Sequence, residues 1–174
     1  HLVDIRIELN WQVTEVSDHS PESIDSIRLF EPKDSEELWQ IASNIYTDTR
    51  FYYDQQFSRS RVSALYSTWL TQHCEDPSNK VFVTEDSNGV GGFIACRFDS
   101  SQVGRISLLG VKTDAQGKGY GRKLVTTVQR YFLNETASEI CVVTQGRNIA
   151  AQRLYQAQGF RTKNLNLWYH KWFK

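Results

Sequence analysis

The chain has 174 residues, enough for one domain with its own core, and its hydrophobic share of 40% is that of an ordinary globular fold. Twenty Lys and Arg residues balance twenty Asp and Glu residues, so whole-chain charge gives no reason to expect nucleic acid or an anionic membrane as a partner. No apolar stretch approaches the roughly 20 residues of a membrane span, no signal-peptide pattern opens the chain, and Cys74, Cys96 and Cys141 lack metal-ligand spacing, so a cytoplasmic protein with reduced thiols and no metal is expected.

The chain contains no methionine and begins on the alternating run Val3-Asp4-Ile5-Arg6-Ile7-Glu8-Leu9, the period-two signature of a strand. The expectation is a fragment in which residues 1–20 are the remnant of an N-terminal region, the strand having lost its partners, and residues 21–174 are the main domain. Asp25 to Phe30 reads as a short strand. Asp34-Ser35-Glu36-Glu37 supplies an N-cap and first-turn acids for a helix to about Tyr46. Thr49 to Phe57 is a polar and aromatic connector. From Arg59 to His73, Val62, Leu65, Tyr66, Trp69 and Leu70 recur at helical spacing, and Asp76-Pro77 ends that helix.

Lys80 to Glu85 and Gly92 to Asp99 are strand-like, joined by the hairpin turn Asp86-Ser87-Asn88-Gly89, and Arg105 to Lys112 is a third strand. A helix from Lys123 to Phe132, the β-branched run Ile140 to Thr144 and a helix from Ile149 to Gln158 follow, with Gly159 placed as a C′ residue. Phe160 to Lys174 is rich in aromatic residues and reads as one or two closing strands. This series predicts an α/β (α+β) fold, a mixed and mostly antiparallel sheet with helices on both faces.

Gln116-Gly117-Lys118-Gly119-Tyr120-Gly121-Arg122 lies between the apolar run Ile106 to Val111 and a helix. Alternating glycines permit positive φ and a close approach of N–H groups, and the helix adds its positive dipole end, so the segment suits a phosphate. A glycine turn of purely geometric origin explains it equally well. It is no Walker A loop, since Gly117-Lys118 leads to Gly119, and a dinucleotide fingerprint would need its third glycine at position 122, where Arg stands. Glu139, at the spacing of a ribose acid, sits at the start of its strand rather than the end. Asn148 and Tyr155 are seven apart on one predicted helix and share a face; alone they read as an N-cap and a core-edge tyrosine.

Taken together, Leu109-Gly110-Val111, Gln116-x-x-Gly119-x-Gly121 and Asn148-x-x-Ala151-x-x-Leu154-Tyr155-x-x-x-Gly159-Phe160 resemble the GNAT superfamily of acetyl-CoA-dependent N-acetyltransferases, over roughly Lys80 to Lys174. The resemblance implies that Leu109, Gly110 and Val111 bind the pantetheine arm and thioester through their backbone. Gln116, Gly117, Lys118, Gly119, Tyr120, Gly121 and Arg122 would hold the pyrophosphate, Asn148 would touch the cofactor, and Tyr155 would be the general acid. From Thr49-Arg50-Phe51 to the tail Leu167 to Phe173 the chain is similar to the branch containing the dTDP-fucosamine acetyltransferases. That branch acetylates the 4-amino group of a dTDP-4-amino-4,6-dideoxygalactose.

Acyl transfer from a thioester to an amine needs a neutral amine, a stabilised oxyanion and a proton for the departing thiolate. A phenol with a pKa of about 10 can supply the proton. Many relatives carry a glutamate five residues before the asparagine, where this chain has Val143. A water relayed by backbone carbonyls is therefore the expected base, with Asp54 and His170 as lesser choices. Arg50, Tyr52, Tyr53 and His170 are the expected acceptor contacts, Arg50 for a diphosphate and the tyrosines for stacking. Acetylation of a peptide N-terminus or small amine, and a non-catalytic acyl-CoA sensor, are the competing functions. The aromatic tail can finish the core or close a homodimer.

Overall fold

A computed structural model describes residues 2–13, 26–46, 49–100 and 102–173. Seven strands form one sheet in the order β2-β3-β4-β5-β6-β1-β7, with β1 Leu2–Gln12, β2 Ile27–Leu29, β3 Asn79–Asp86, β4 Gly89–Ser100, β5 Val103–Val111, β6 Glu139–Gln145 and β7 Arg161–Tyr169. Every neighbouring pair is antiparallel except β5 and β6, whose parallel pairing requires a crossover, and the helix α4 Tyr120–Asn134 provides it. The remaining helices are α1 Ser35–Ile45, α2 Arg50–Tyr53, α3 Arg59–Glu75 and α5 Ile149–Ala157. The expected fold class is the observed one.

Two cores lie on opposite faces of the sheet. On one, Leu124, Val125, Val128 and Phe132 of α4 and Tyr155 of α5 pack on Leu9, Trp11, Ile94, Ile106, Ile140 and Val142. On the other, Leu38, Ile41 and Ala42 of α1 and Val62, Tyr66 and Leu70 of α3 cover Val81, Val83, Phe93, Ala95 and Leu108. Each fully buried Leu or Phe contributes about 1.5–3 kcal/mol from burial. Alternate residues of β4 serve alternate cores, as a pleated strand dictates: Ile94 and Cys96 face α4, Phe93 and Ala95 face α1 and α3.

Several expectations are corrected in detail. The strand β1 has partners within this chain: Glu8 pairs with Val143 of β6 on one side and with Asn164 of β7 on the other. Of the strand expected over residues 25–30, Ile27–Leu29 is formed and Asp25 lies outside the described residues, as does the expected boundary near residue 20. Asp34 stands at the N-cap position of α1, as expected, but its side chain makes no cap hydrogen bond. It closes a 3-10 turn, Pro32–Asp34, by accepting from the Glu31 N–H at 2.8 Å, and it pairs with Arg28 at 2.7 Å, which holds its carboxyl below the usual range. The connector after Thr49 contains α2, capped by the Thr49 hydroxyl. The helix expected from Lys123 begins three residues earlier, at Tyr120, so Gly121 and Arg122 belong to its first turn. A single strand, β7, closes the sheet before the tail.

Candidate functional site

The site begins where the sheet opens. β5 and β6 are paired from Val103 with Glu139 to Ile106 with Val142, and no further pair is formed although β5 runs on to Val111 and β6 to Gln145. The break coincides with a bulge. Ala95 faces Leu108 and Cys96 faces Ile106, so Ser107 is the extra residue that turns β5 away from its neighbour. From Ser107 to Val111, β5 remains bonded to β4 on one side and offers backbone groups on the other, an opening that accepts an extended, amide-bearing chain as an added strand would be accepted.

Two phenols stand at this opening. Tyr46, the residue after α1, donates its hydroxyl to the Leu109 carbonyl at 3.1 Å and stacks on Tyr66 with ring centroids 4.4 Å apart. Tyr155, on α5, is buried against Phe160 and close enough to Tyr46 to add to the upward shift of the Tyr46 phenol. Burial raises the pKa of both well above the ordinary phenol value, because a phenolate there would be desolvated. Tyr155 therefore stays protonated at neutral and mildly alkaline pH. Tyr46 went unremarked in the sequence, where it was only the end of a helix.

Beyond Val111 the chain makes a short 3-10 turn, Thr113–Ala115, and then enters α4 through Gly117 and Gly119. Both glycines adopt positive φ, 80° and 81°, and a Cβ at either would meet nothing within 4 Å. These glycines are present for backbone conformation and for open space above the helix end, which is the combination a phosphate requires. Gln116 reaches back to the Val111 carbonyl at 3.4 Å, while Lys118 and Arg122 are exposed beside the turn. The Tyr120 side chain points elsewhere, donating to Asp86 at 2.5 Å, and so only its backbone faces the helix end. Gly121 fits by packing, since a Cβ there would lie 3.1 Å from Leu154 of α5. The residues fit the diphosphate of a coenzyme A group.

Asn148 caps α5, its side-chain oxygen accepting from the Ala151 N–H at 3.0 Å. The cap leaves the amide NH2 as its remaining donor. Of the residues expected to contact an acceptor, Arg50 is held between Phe51 and Trp168, 4.3 and 4.0 Å from their ring centroids. Tyr52 packs with the α1 and α3 core and carries the Arg59 guanidinium at 3.6 Å, whereas Tyr53 is half exposed under Arg147 at 4.0 Å. His170 and Asp54, two expected base alternatives, bond each other: His170 Nδ1 lies 2.5 Å from Asp54 Oδ2, which also accepts from the Trp172 indole at 3.1 Å. Burial pushes the Asp54 carboxyl up, but the His170, Gln56 and Trp172 donors together bring it below its usual value. This cluster ties the tail to the α2 segment.

The open half of the α3 face carries what sequence reasoning missed. Among the described residues the α1–α3 core includes no residue of β6, β1 or β7, and Arg6, Glu8 and Asn10 of β1 lie on that face by strand alternation. Glu8 stands directly opposite Val143, so an acid is one strand away from the place where a relative's glutamate would be. Alongside runs a cleft of about 770 Å³ lined by Arg6, Trp69, Arg97, Arg105, Ser107 and Val143, among others. Its positions lie far apart in sequence, and β1 read as an orphan strand, so only pairing could reveal the cluster.

A family model, Acetyltransferase (GNAT) family, matches residues 36–160. Among curated proteins, the chain is 23% identical over 143 residues to the spore coat polysaccharide biosynthesis protein SpsD of Bacillus subtilis, covering 82% of this chain and 49% of that one. It is 33% identical over 73 residues to the mycothiol acetyltransferase of Amycolatopsis mediterranei, covering 42% and 24%. The chain thus spans half or less of the length of these relatives. In fold it is similar to a GCN5-related N-acetyltransferase from Sphaerobacter thermophilus, at a TM-score of 0.66 and 17% identity, over 96% of this chain and 51% of that one. Among the described residues no helix is long and apolar enough to cross a membrane. The open strand pair, the glycine turn at the head of α4 and the family match over most of the chain lead to one conclusion: this chain belongs to the acetyltransferase (GNAT) family, whose members use acetyl-CoA as co-substrate.

Proposed function

We propose that this chain is the acetyl-CoA-dependent catalytic domain of an N-acetyltransferase whose acceptor is the 4-amino group of a nucleotide-linked 4-amino-4,6-dideoxy sugar. The observation that carries the donor half is the opening of β5 from β6 beside the positive-φ glycines of the α4 turn. The acceptor half is supported by the arginine-bearing cleft that reaches the same opening and by the similarity, over most of the chain, to a protein of spore coat polysaccharide biosynthesis.

In this reading the backbone N–H groups of Leu109 to Val111 stabilise the oxyanion. Glu8, across from Val143, takes the proton from the acceptor ammonium, directly or through one water. The amine nitrogen bonds to the thioester carbon, the carbon–sulfur bond breaks, and Tyr155 gives its phenolic proton to the departing sulfur; the second proton that the nitrogen loses on becoming an amide leaves through water, and solvent reprotonates Tyr155. Arg50, Tyr53 and His170 border the acceptor, while Asp54 positions His170 and is not itself a base.

The test is incubation of the chain with acetyl-CoA and a panel of amines: nucleotide-linked 4-amino sugars, free amino sugars, peptides and small amines, followed by mass spectrometry. A gain of one acetyl group on the nucleotide sugars is expected. Acetylated peptides with untouched sugar nucleotides would reject the acceptor assignment, and tight acetyl-CoA binding with no turnover of any amine would favour a sensor.

A further inference from the structure

The donor and the cleft sit at opposite ends of β5. The glycine turn follows Val111, at the end of the strand, whereas Arg105 lies near its start and pairs across the sheet with Arg97 of β4. Arg97 and Arg105 share one carboxylate, Asp99, so the trio keeps a net positive charge. Arg6 has no carboxylate partner among the described residues; its guanidinium lies 5.9 Å from the Trp168 ring, which Arg50 also covers. Two acids, Glu75 and Asp76, line the α3 end of the cleft, but Asp76 is engaged by the N–H and hydroxyl of Ser78. A large apolar ring, Trp69, lines the same cleft and is 40% exposed, edge-on to Tyr66 at 5.6 Å.

An exposed indole and three guanidiniums around one cleft form a recognisable recognition set. The ring offers a stacking surface for a flat base, and arginine is the side chain best shaped for phosphate oxygens. The volume, about 770 Å³, falls in the range of small-molecule sites. The cleft also reaches Ser107 and Val143, where the strands part and the amine must arrive. We infer that this cleft seats the nucleoside diphosphate portion of the acceptor, with Trp69 stacked on the base and Arg6, assisted by Arg97 and Arg105, on the phosphates. The inference rests on the acceptor reading proposed above and gives it a location distinct from the coenzyme turn.

The test is calorimetric titration of the full chain, first saturated with coenzyme A so that the glycine turn is occupied, with thymidine diphosphate, uridine diphosphate and inorganic pyrophosphate. At least one nucleoside diphosphate should bind the saturated protein, at least tenfold more tightly than pyrophosphate. Arg6→Gln should weaken all three by tenfold or more. Trp69→Ala should weaken the nucleoside diphosphates fivefold or more and leave pyrophosphate unchanged, with coenzyme A affinity of both variants intact as evidence of folding. Absence of binding to the saturated protein, or indifference to both substitutions, overturns the assignment. The two ideas fail separately: thymidine diphosphate binding without turnover of any amino-sugar nucleotide removes the acceptor reading and keeps the cleft. Turnover with unchanged KM in Arg6→Gln and Trp69→Ala removes the cleft and keeps the acceptor reading.

Discussion

Glu8 of the first strand is the direct cross-strand neighbour of Val143, on the polar face of the sheet where β5 and β6 separate. Cross-strand neighbours place their Cβ atoms about 4.5–5.5 Å apart, within reach of a glutamate side chain. Glu8→Gln should therefore lower kcat by tenfold or more with the KM for acetyl-CoA unchanged. The deficit should shrink as pH approaches the pKa of the acceptor amine, which then loses its proton to solvent. Adding Val143→Glu should restore part of the rate, an outcome that a merely structural Glu8 would not give.

Tyr155→Phe keeps the ring that packs on Phe160 and removes only the hydroxyl. Turnover should fall by about 10²-fold, in line with general-acid contributions, while acetyl-CoA binding stays within twofold. Because burial raises the phenol above its ordinary value, no decline in rate from its ionisation should occur up to about pH 10. The same sign governs stability. A phenol with a raised folded pKa stabilises the fold below the unfolded value, and that contribution is lost as pH climbs toward the folded one. With Tyr46 and Tyr66 shifted the same way, thermal unfolding at rising pH should show Tm falling above about pH 10.

Gly119→Ala tests the coenzyme turn. Space is open around this residue, so the cost comes from φ of 81°, about 1–2 kcal/mol for an L residue in the left-handed region. A drop in Tm of a few degrees and a loss of coenzyme A affinity of tenfold or more are expected by calorimetry. Gly121→Ala should behave differently, because its Cβ would meet the Leu154 side chain at 3.1 Å and disturb the contact between α4 and α5.

The tail latch has a defined acid limit. Asp54 is held below its usual pKa by its donors despite burial, so the latch is complete above the unfolded value, about 3.9, and is released as pH falls through the lower folded one. Limited proteolysis after Lys171 should accelerate at low pH. Asp54→Ala, which takes the acceptor from both His170 and Trp172, should give the same accelerated cleavage at neutral pH.

The elements themselves were legible. Helical spacing from Val62 to Leu70 foretold α3, the Asp86 to Gly89 turn foretold the β3–β4 hairpin, and Gly117 and Gly119 announced a backbone no other residue adopts cheaply, because each of these signals is local. The start of α4 was placed three residues late because glycine scores poorly as a helix former, while Gly121 is kept there by the closeness of Leu154. Asp34 takes the N-cap position that the sequence indicates, but its carboxylate bonds Arg28 and the Glu31 N–H instead of the α1 end, and the sequence does not show Arg28 beside it. What only the tertiary structure decided is which distant residues meet. Pairing β1 between β6 and β7 brings Arg6 and Glu8 to the open strands, and folding of the first helical segment brings Tyr46 to Leu109. Local sequence records the conformational preference of each segment; the composition of the site depends on strand register, which is set by burial of alternate faces across the whole sheet.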